Sequence, residues 1–257
     1  MIGFLEIIVL VVVALLGHVM ALTWFLAERH GLAVCRRTIY DLSIPEDQLR
    51  REFKNSLHTP MHAAFLLGLL YLDFFNDTGY LAFAVSFVGT AVWAEIWHYV
   101  SHRLFHLKSL LWIHREHHKS RLNSPLTAIS FSFTEKFVFN LGILGLMATI
   151  DRFVYSLNFF GVAGWYIGYL FINSFSHANF EMKSKGYLAF TGKLITSTTY
   201  HALHHSRYIN NFGLGTRVLD RLFGTEWPDY EPVFERVSNQ ERPLVKLAER
   251  ITPSAPL

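Results

Sequence analysis

The segment from Gly79 to His118, GYLAFAVSFVGTAVWAEIWHYVSHRLFHLKSLLWIHREHH, decides how the chain is read. Its first twenty residues, Gly79–His98, are almost all apolar. That is about the length a helix needs to cross the hydrocarbon core of a bilayer. Its last 21 residues, from His98 to His118, hold six histidines. An even spread of the chain's 14 histidines over 257 residues would place about one there. An apolar helix therefore runs into a cluster of imidazoles, which is costly at a membrane edge unless they share a task.

Outward from this segment lie further apolar runs: Gly3–Ala27, Pro60–Phe75, Ala128–Ile150 and Phe153–Ser176. Glu6 and His18 alone interrupt the first, and no Lys or Arg precedes Arg29. A signal peptide would carry a basic start and a shorter apolar stretch, so this run reads as a retained span. Pro60–Phe75 is short and reads as tilted, re-entrant or shallow. Gly186–Tyr200 is too weak for a span and reads as an interfacial helix. The pattern predicts an all-α fold: a membrane bundle of four to five spans with a cytoplasmic helical cap.

Orientation follows from the basic residues, which favour the cytoplasmic side. With the N-terminus outside, 21 of the 23 Lys and Arg fall in inner segments. Arg152 falls outside, and Lys136 lies within a span near its inner end. This places the N-terminus outside or in the lumen and the C-terminus in the cytoplasm. The host membrane would be a bacterial inner membrane or the endoplasmic reticulum. All the clustered histidines then fall on the inner side.

Composition agrees. The chain is 51% hydrophobic and 17% charged, with a net charge of +3. Soluble domains carry about 25% charged residues. Disordered, fibrous and nucleic-acid-binding classes are disfavoured. One cysteine excludes an intramolecular disulfide framework and a CxxC metal knuckle.

The histidine spacing carries the chemistry. His98, His102 and His106 recur every four residues and share one helical face, since each step of four advances only about 40°. His114, His117 and His118 form HxxHH, and His201, His204 and His205 repeat it. His177 stands alone between the clusters. Neutral imidazole ligates zinc, copper, iron and nickel. A lone histidine is usually a satisfied polar residue, and His18, His30, His58 and His62 are read that way. His18, within the first span, should hydrogen-bond a neighbouring helix.

The stretch His102-Arg-Leu-Phe-His106, Trp112 and His114-Arg-Glu-His117-His118 resembles the membrane-bound fatty acid hydroxylase superfamily, also called the sterol desaturase family. Ser176-His177-Ala178-Asn179 is similar to its penultimate histidine element. The run His201-Ala-Leu-His204-His205-Ser, with Asn211-Phe212-Gly213 and Leu219-Asp220-Arg221-Leu222-Phe223-Gly224-Thr225, resembles its closing pattern. The resemblance covers about residues 95–225. It implies residues 1–94 as N-terminal spans and connector, 95–225 as the catalytic region and 226–257 as a cytoplasmic tail. This chain departs from many relatives after the second cluster, where Ser130, Ser132 and Phe133 precede Glu135; that leaves the subfamily open.

The resemblance implies nine metal-ligating histidines: His102, His106, His114, His117, His118, His177, His201, His204 and His205. It places the family's first pair on His102 and His106, leaving His98 beside the ligands. Glu95, Asn179 and Asn211 are expected around them, Glu95 accepting a ligand ring N–H in the way outlying carboxylates do. Two octahedral metals offer about twelve positions, so nine imidazoles leave about three for solvent or dioxygen. The implied cofactors are two iron ions with O2 as co-substrate, and the implied reaction is hydroxylation or desaturation of a lipid C–H bond. No further catalytic side chain is called for. A fatty-acyl or other amphiphilic lipid leads, with a sterol C-4 methyl oxidase or sterol desaturase, then carotenoid hydroxylation, as alternatives.

No dinucleotide loop is visible. Gly161, Gly164 and Gly168 lie within a span and read as small-residue helix packing. Electrons would come from a separate donor protein, the lipid from the bilayer, and the sequence leaves the oligomeric state open. A non-redox metal-binding or transport protein is the reading from another class. Transporters hold their ligands near mid-bilayer, whereas these histidines sit at one edge.

Overall fold

The computed structural model describes residues 2–251 and is helical, with no named strand among them. In chain order the helices are α1 (Phe4–Arg29), α2 (Glu46–Ser56), α3 (Met61–Tyr71), α4 (Tyr80–Phe105) and α5 (Leu111–His118). There follow α6 (Phe133–Phe153), α7 (Phe159–Ser176), α8 (Thr198–Arg207), α9 (Val218–Leu222) and α10 (Tyr230–Ser238).

Three helices are long and apolar enough to cross a membrane: α1, α4 and α6. They carry large exposed side chains such as Phe4, Leu15, Leu81, Val92 and Leu141. Soluble surfaces rarely expose apolar residues so continuously, and lipid satisfies them. The other two expected spans differ. α3 has eleven residues, a rise of about 16 Å, roughly half the hydrocarbon thickness. Asp73 and Phe75, both at positive φ, turn the chain after it. α7 has 18 residues and packs most extensively against α4 and α1, so it is the central post of the bundle. The close approach of α7 to α4 is made at Gly161, where a Cβ would lie 2.5 Å from the Phe83 carbonyl oxygen. Small-residue packing thus holds at Gly161, but Gly168 faces open space.

Other expected boundaries shift. The third span runs on past His98 to Phe105, which keeps His102 on the helix and makes His106 its C-cap. The fourth begins at Phe133 rather than Ala128, because Ser132 Oγ accepts from the Glu135 amide and caps the helix there. The interfacial helix expected over Gly186–Tyr200 is absent. Two 3-10 turns, Tyr187–Ala189 and Thr191–Lys193, replace it, and α8 starts at Thr198. Gly186 is left-handed, and Ile195 to Thr199 is a run of β-branched and hydroxyl residues that favour extended backbone and caps over helix.

Two cores result. One fills the bundle with Leu66, Ile143, Leu144, Val162, Tyr166 and Leu170. The other fills the cap, where α8 and α10 enclose Tyr200, Leu203, Tyr230, Val233 and Phe234. Ile39 and Tyr40 join the second core, so the connector after α1 and the residues from Trp227 onward are built into the cap. His18 Nε2 and Ser56 Oγ lie 3.2 Å apart, tying α1 to α2 as expected of a histidine in that helix.

Candidate metal centre

The structure brings the nine sequence-predicted histidines together where the C-terminal end of α4 meets α5, α8 and the end of α7. They form two groups: His102, His106, His114, His118 and His204, and beside them His117, His177, His201 and His205. Within each group the donor nitrogens all lie within 4.8 Å of one another. All nine are buried except His106, which is half-buried.

The division follows helix geometry. His102 and His106, His114 and His118, and His201 and His205 are each four apart, and each pair stays in one group. The remaining histidine of each HxxHH, His117 or His204, is rotated about 100° from its neighbour and joins the other group. Each HH dipeptide therefore straddles both groups. The groups share a wall: the His118 and His205 rings stack with centres 4.8 Å apart.

Hydrogen bonds fix which nitrogen faces inward. The Nδ1–H groups of His102, His117, His177, His204 and His205 donate to the carbonyls of Phe212, Ser130, Asn173, Asn210 and Ser120, at 2.7–3.0 Å. A carbonyl only accepts, so Nδ1 carries the proton and Nε2 bears the lone pair. His114 Nδ1–H donates to Glu135 Oε1.

This arrangement tests whether the residues fit a metal. His117 and His177 both have lone pairs at Nε2, yet those atoms lie 3.3 Å apart. His201 Nε2 lies 2.9 Å from that of His177 and 3.1 Å from that of His205, and can donate to only one. The Nε2 atoms of His102 and His114 and both nitrogens of His106 are buried without partners. Converging lone pairs repel unless a cation sits among them, so the donor set fits metal ions. Burial, reinforced by neighbouring imidazoles, holds His114, His117, His118, His201, His204 and His205 well below the usual histidine pKa. His106 is pushed down to about 2, mainly by burial. The neutral form that ligates is thus the stable one.

Of the four residues expected around the ligands, His98 lies outside both groups with its ring centre 5.0 Å from that of His102 and its Nε2 unpartnered. Glu95 makes no hydrogen bond to a histidine. Its Oε1 accepts from the Thr216 amide and hydroxyl at 2.8 and 2.7 Å, pinning the loop before α9 to α4. Nearly two helical turns before His102, it meets that loop instead of the rings. Asn179 exchanges two hydrogen bonds with the Tyr40 backbone. Asn211, at positive φ, binds the Tyr200 carbonyl and the Trp227 amide. Both serve turns, as short amide side chains do.

Three carboxylates that the sequence reading did not assign do support the rings. Glu135, 6% exposed, holds His114. Its signal was Ser132-Phe133-Thr134-Glu135, a capping-box pattern whose glutamate turns to the imidazole rather than back to its own cap. Asp220 is fully buried and accepts from the Phe212 and Gly213 amides, the Tyr200 hydroxyl and the Thr225 hydroxyl. It fixes the loop whose Phe212 carbonyl orients His102. Glu52, also fully buried, accepts from Gln48, Ser124 and Thr127, and so fixes the loop that presents the Ser120 and Ser130 carbonyls.

Two cavities adjoin the centre. A small one of about 30 Å³ lies against His102, His117, His177, His98 and Lys136. A second, of about 630 Å³, runs between α4 and α7 and is lined by Phe87, Ala91, Trp165, Gly168 and Ile172. The two share His98, Phe139, Tyr169 and Leu214 as walls. A long apolar groove therefore ends at the histidines.

No solved structure gives a significant match. Among characterised proteins, the chain is 26% identical over 214 residues to Protein CER1-like 2 of Arabidopsis thaliana, covering 79% of this chain and 34% of that protein. It is 25% identical over 235 residues to the very-long-chain aldehyde decarbonylase GL1-6 of Oryza sativa subsp. indica, covering 83% and 35%. It is 26% identical over 225 residues to the very-long-chain aldehyde decarbonylase CER1 of Arabidopsis thaliana, covering 83% and 35%. The chain thus spans about a third of the length of the curated relatives it matches. The fatty acid hydroxylase family matches residues 87–225, which takes in all nine histidines, the groove and Asp220. With more than half of its length matched, this membrane protein belongs to the fatty acid hydroxylase family.

Proposed function

We propose that the protein is a membrane-bound di-iron, O2-dependent lipid oxidoreductase that hydroxylates a C–H bond of a fatty-acyl or similar amphiphilic chain. The observation that carries this reading is the apolar groove ending at two adjacent histidine groups. His102, His106, His114, His118 and His204 would hold one ion and His117, His177, His201 and His205 the other. When bound, the iron pair supplies the oxidising power that no amino-acid side chain has.

The chain's own residues do the rest. Nδ1–H donors to fixed carbonyls hold six of the rings ready, counting Glu135 on His114, so little reorganisation is needed on binding metal. Phe87, Trp165 and Ile172 would line the acyl chain and exclude water from the reacting carbon. Phe139 and Tyr169, at the junction, would set how far the chain reaches. Electrons would come from a separate donor protein. The basic asymmetry supports an N-terminus outside and a cytoplasmic cap, with α7 and α3 completing the membrane portion.

The relatives' names favour a second substrate for the same site, a very-long-chain aldehyde. Purified protein should hold about two irons and consume oxygen with a reductant. Mass spectrometry of host lipids then separates the readings: a lipid gaining one oxygen supports hydroxylation, and an alkane one carbon shorter than a supplied aldehyde supports the alternative. His117→Ala should abolish either product; full lipid oxidation by that variant would sink the assignment.

A further inference from the structure

Lys136 is a buried amine whose neighbouring carboxylate, Glu135, acts on it only from beyond salt-bridge distance and is itself engaged by His114. It lies in α6, one turn from the inner end of a membrane-crossing helix, and is only 3% exposed. No carboxylate lies within salt-bridge distance of its ammonium among the described residues. Its one hydrogen-bond partner is His62 Nε2 at 3.4 Å. That partner is an acceptor by construction. His62 Nδ1–H donates to Asn140 Oδ1 at 2.9 Å, and Asn140 is itself oriented by donating to the Lys136 carbonyl. The Tyr166 hydroxyl donates to the same Asn140 oxygen. Three side chains therefore aim one lone pair at the ammonium and hold it in place.

The ammonium has three N–H donors and His62 takes one. Nζ also lies 4.9 Å from the centre of the Phe131 ring. That ring stacks on His117 at 4.1 Å, so the ammonium is within about 9 Å of a ring of the metal centre. Lys136 lines the small cavity, which has room for one or two water-sized groups and abuts the apolar groove. A charge left in a membrane helix is expensive and marks a functional site by default.

We infer that Lys136, positioned by His62 and Asn140, binds the oxygenated end of the lipid, a carboxylate or carbonyl oxygen, while the hydrocarbon tail lies in the groove between α4 and α7. The carbons nearest the metal centre are then those next to the oxygenated end. This inference rests on the lipid-oxidation reading and deepens it: the lipid enters head first, and oxidation falls near its head.

The test is retention of tritiated hexadecanoate, hexadecanal and hexadecane by the iron-loaded protein in detergent micelles, followed by the position of oxidation. Wild type should retain hexadecanoate or hexadecanal about tenfold or more over hexadecane. Which of the two is retained identifies the oxygen that Lys136 takes. Lys136→Met should lose that preference while keeping its iron and its hold on hexadecane; Lys136→Arg should keep most of it. A merely structural lysine would lower retention of all three probes together. Equal retention of the three by wild type overturns the inference and needs no variant to fold. Full preference in Lys136→Met overturns it as well. Saturable retention of none of the three would count against the lipid-oxidation reading itself, a separate result.

Discussion

Glu135 offers the sharpest test of how the centre is built. Its Oε1 takes the Nδ1–H of His114, and both side chains are buried. Glu135→Ala leaves that N–H without a partner and frees the ring to turn. A buried donor left unsatisfied costs about 1–3 kcal/mol, or about 5- to 150-fold in affinity. Outlying partners of metal ligands are typically worth about 10- to 100-fold. The structure adds an asymmetry, since His114 belongs to the group with His102 and not to the group with His177. Iron retained during titration with a chelator should therefore fall in two steps, one ion leaving at about a tenth to a hundredth of the chelator needed for the other. Glu135→Gln should fall between, because an amide oxygen still accepts the bond. Identical retention by Glu135→Ala and wild type would refute the supporting role, and loss of both ions in parallel would refute the division into two groups.

Other consequences can be measured in the same preparations. Gly168 meets no heavy atom within 4 Å of its would-be Cβ and lines the groove, so Gly168→Leu should fold normally but raise KM severalfold for long chains; an unchanged chain-length profile would count against the groove. Asp220→Ala strips four donors of a buried acceptor and should lower stability by about 3 kcal/mol or more, read as a drop in Tm together with weaker iron retention. Metal-free protein should be acid-labile. Folded-state histidines held below their unfolded value near 6.5 leave stability intact above that pH. As pH falls below it, each such histidine removes up to about 1.4 kcal/mol per pH unit, because the unfolded chain takes a proton the folded one refuses. His106, held at about 2, would sustain the loss throughout. Circular dichroism should show a steep transition below pH 6.5 that iron pushes to lower pH; a flat acid titration would contradict the buried neutral rings.

How much could be read from the chain in advance depended on the range of the signal. The apolar runs of α1, α4 and α6 are local and appeared at nearly their observed places. Local competition moved their ends. Ser132 captured the start of α6, and α4 carried on through His102 because nothing in Tyr99 to Phe105 stops a helix. The expected helix over Gly186–Tyr200 failed where a left-handed glycine and hydroxyl-rich residues outweighed a weak apolar pattern. Glu95 was assigned to a ring by helical phase alone, and phase cannot say that a loop 121 residues later arrives with a free amide.

Spacing and hydropathy are properties of the chain, and they already carry the residue types of the centre, their recurrence by fours along helices and the membrane-length helices that bear them. Tertiary structure decided the rest: which histidines share a group, which nitrogen each presents and which carboxylates hold them. It also decided that Lys136 would line a cavity without forming a salt bridge. Those outcomes depend on carbonyls and side chains brought together from residues far apart, such as Phe212 on His102 and Ser120 on His205. Hydrogen bonds act only over about 3 Å, so they exist once the fold has closed and leave no periodic mark on the chain.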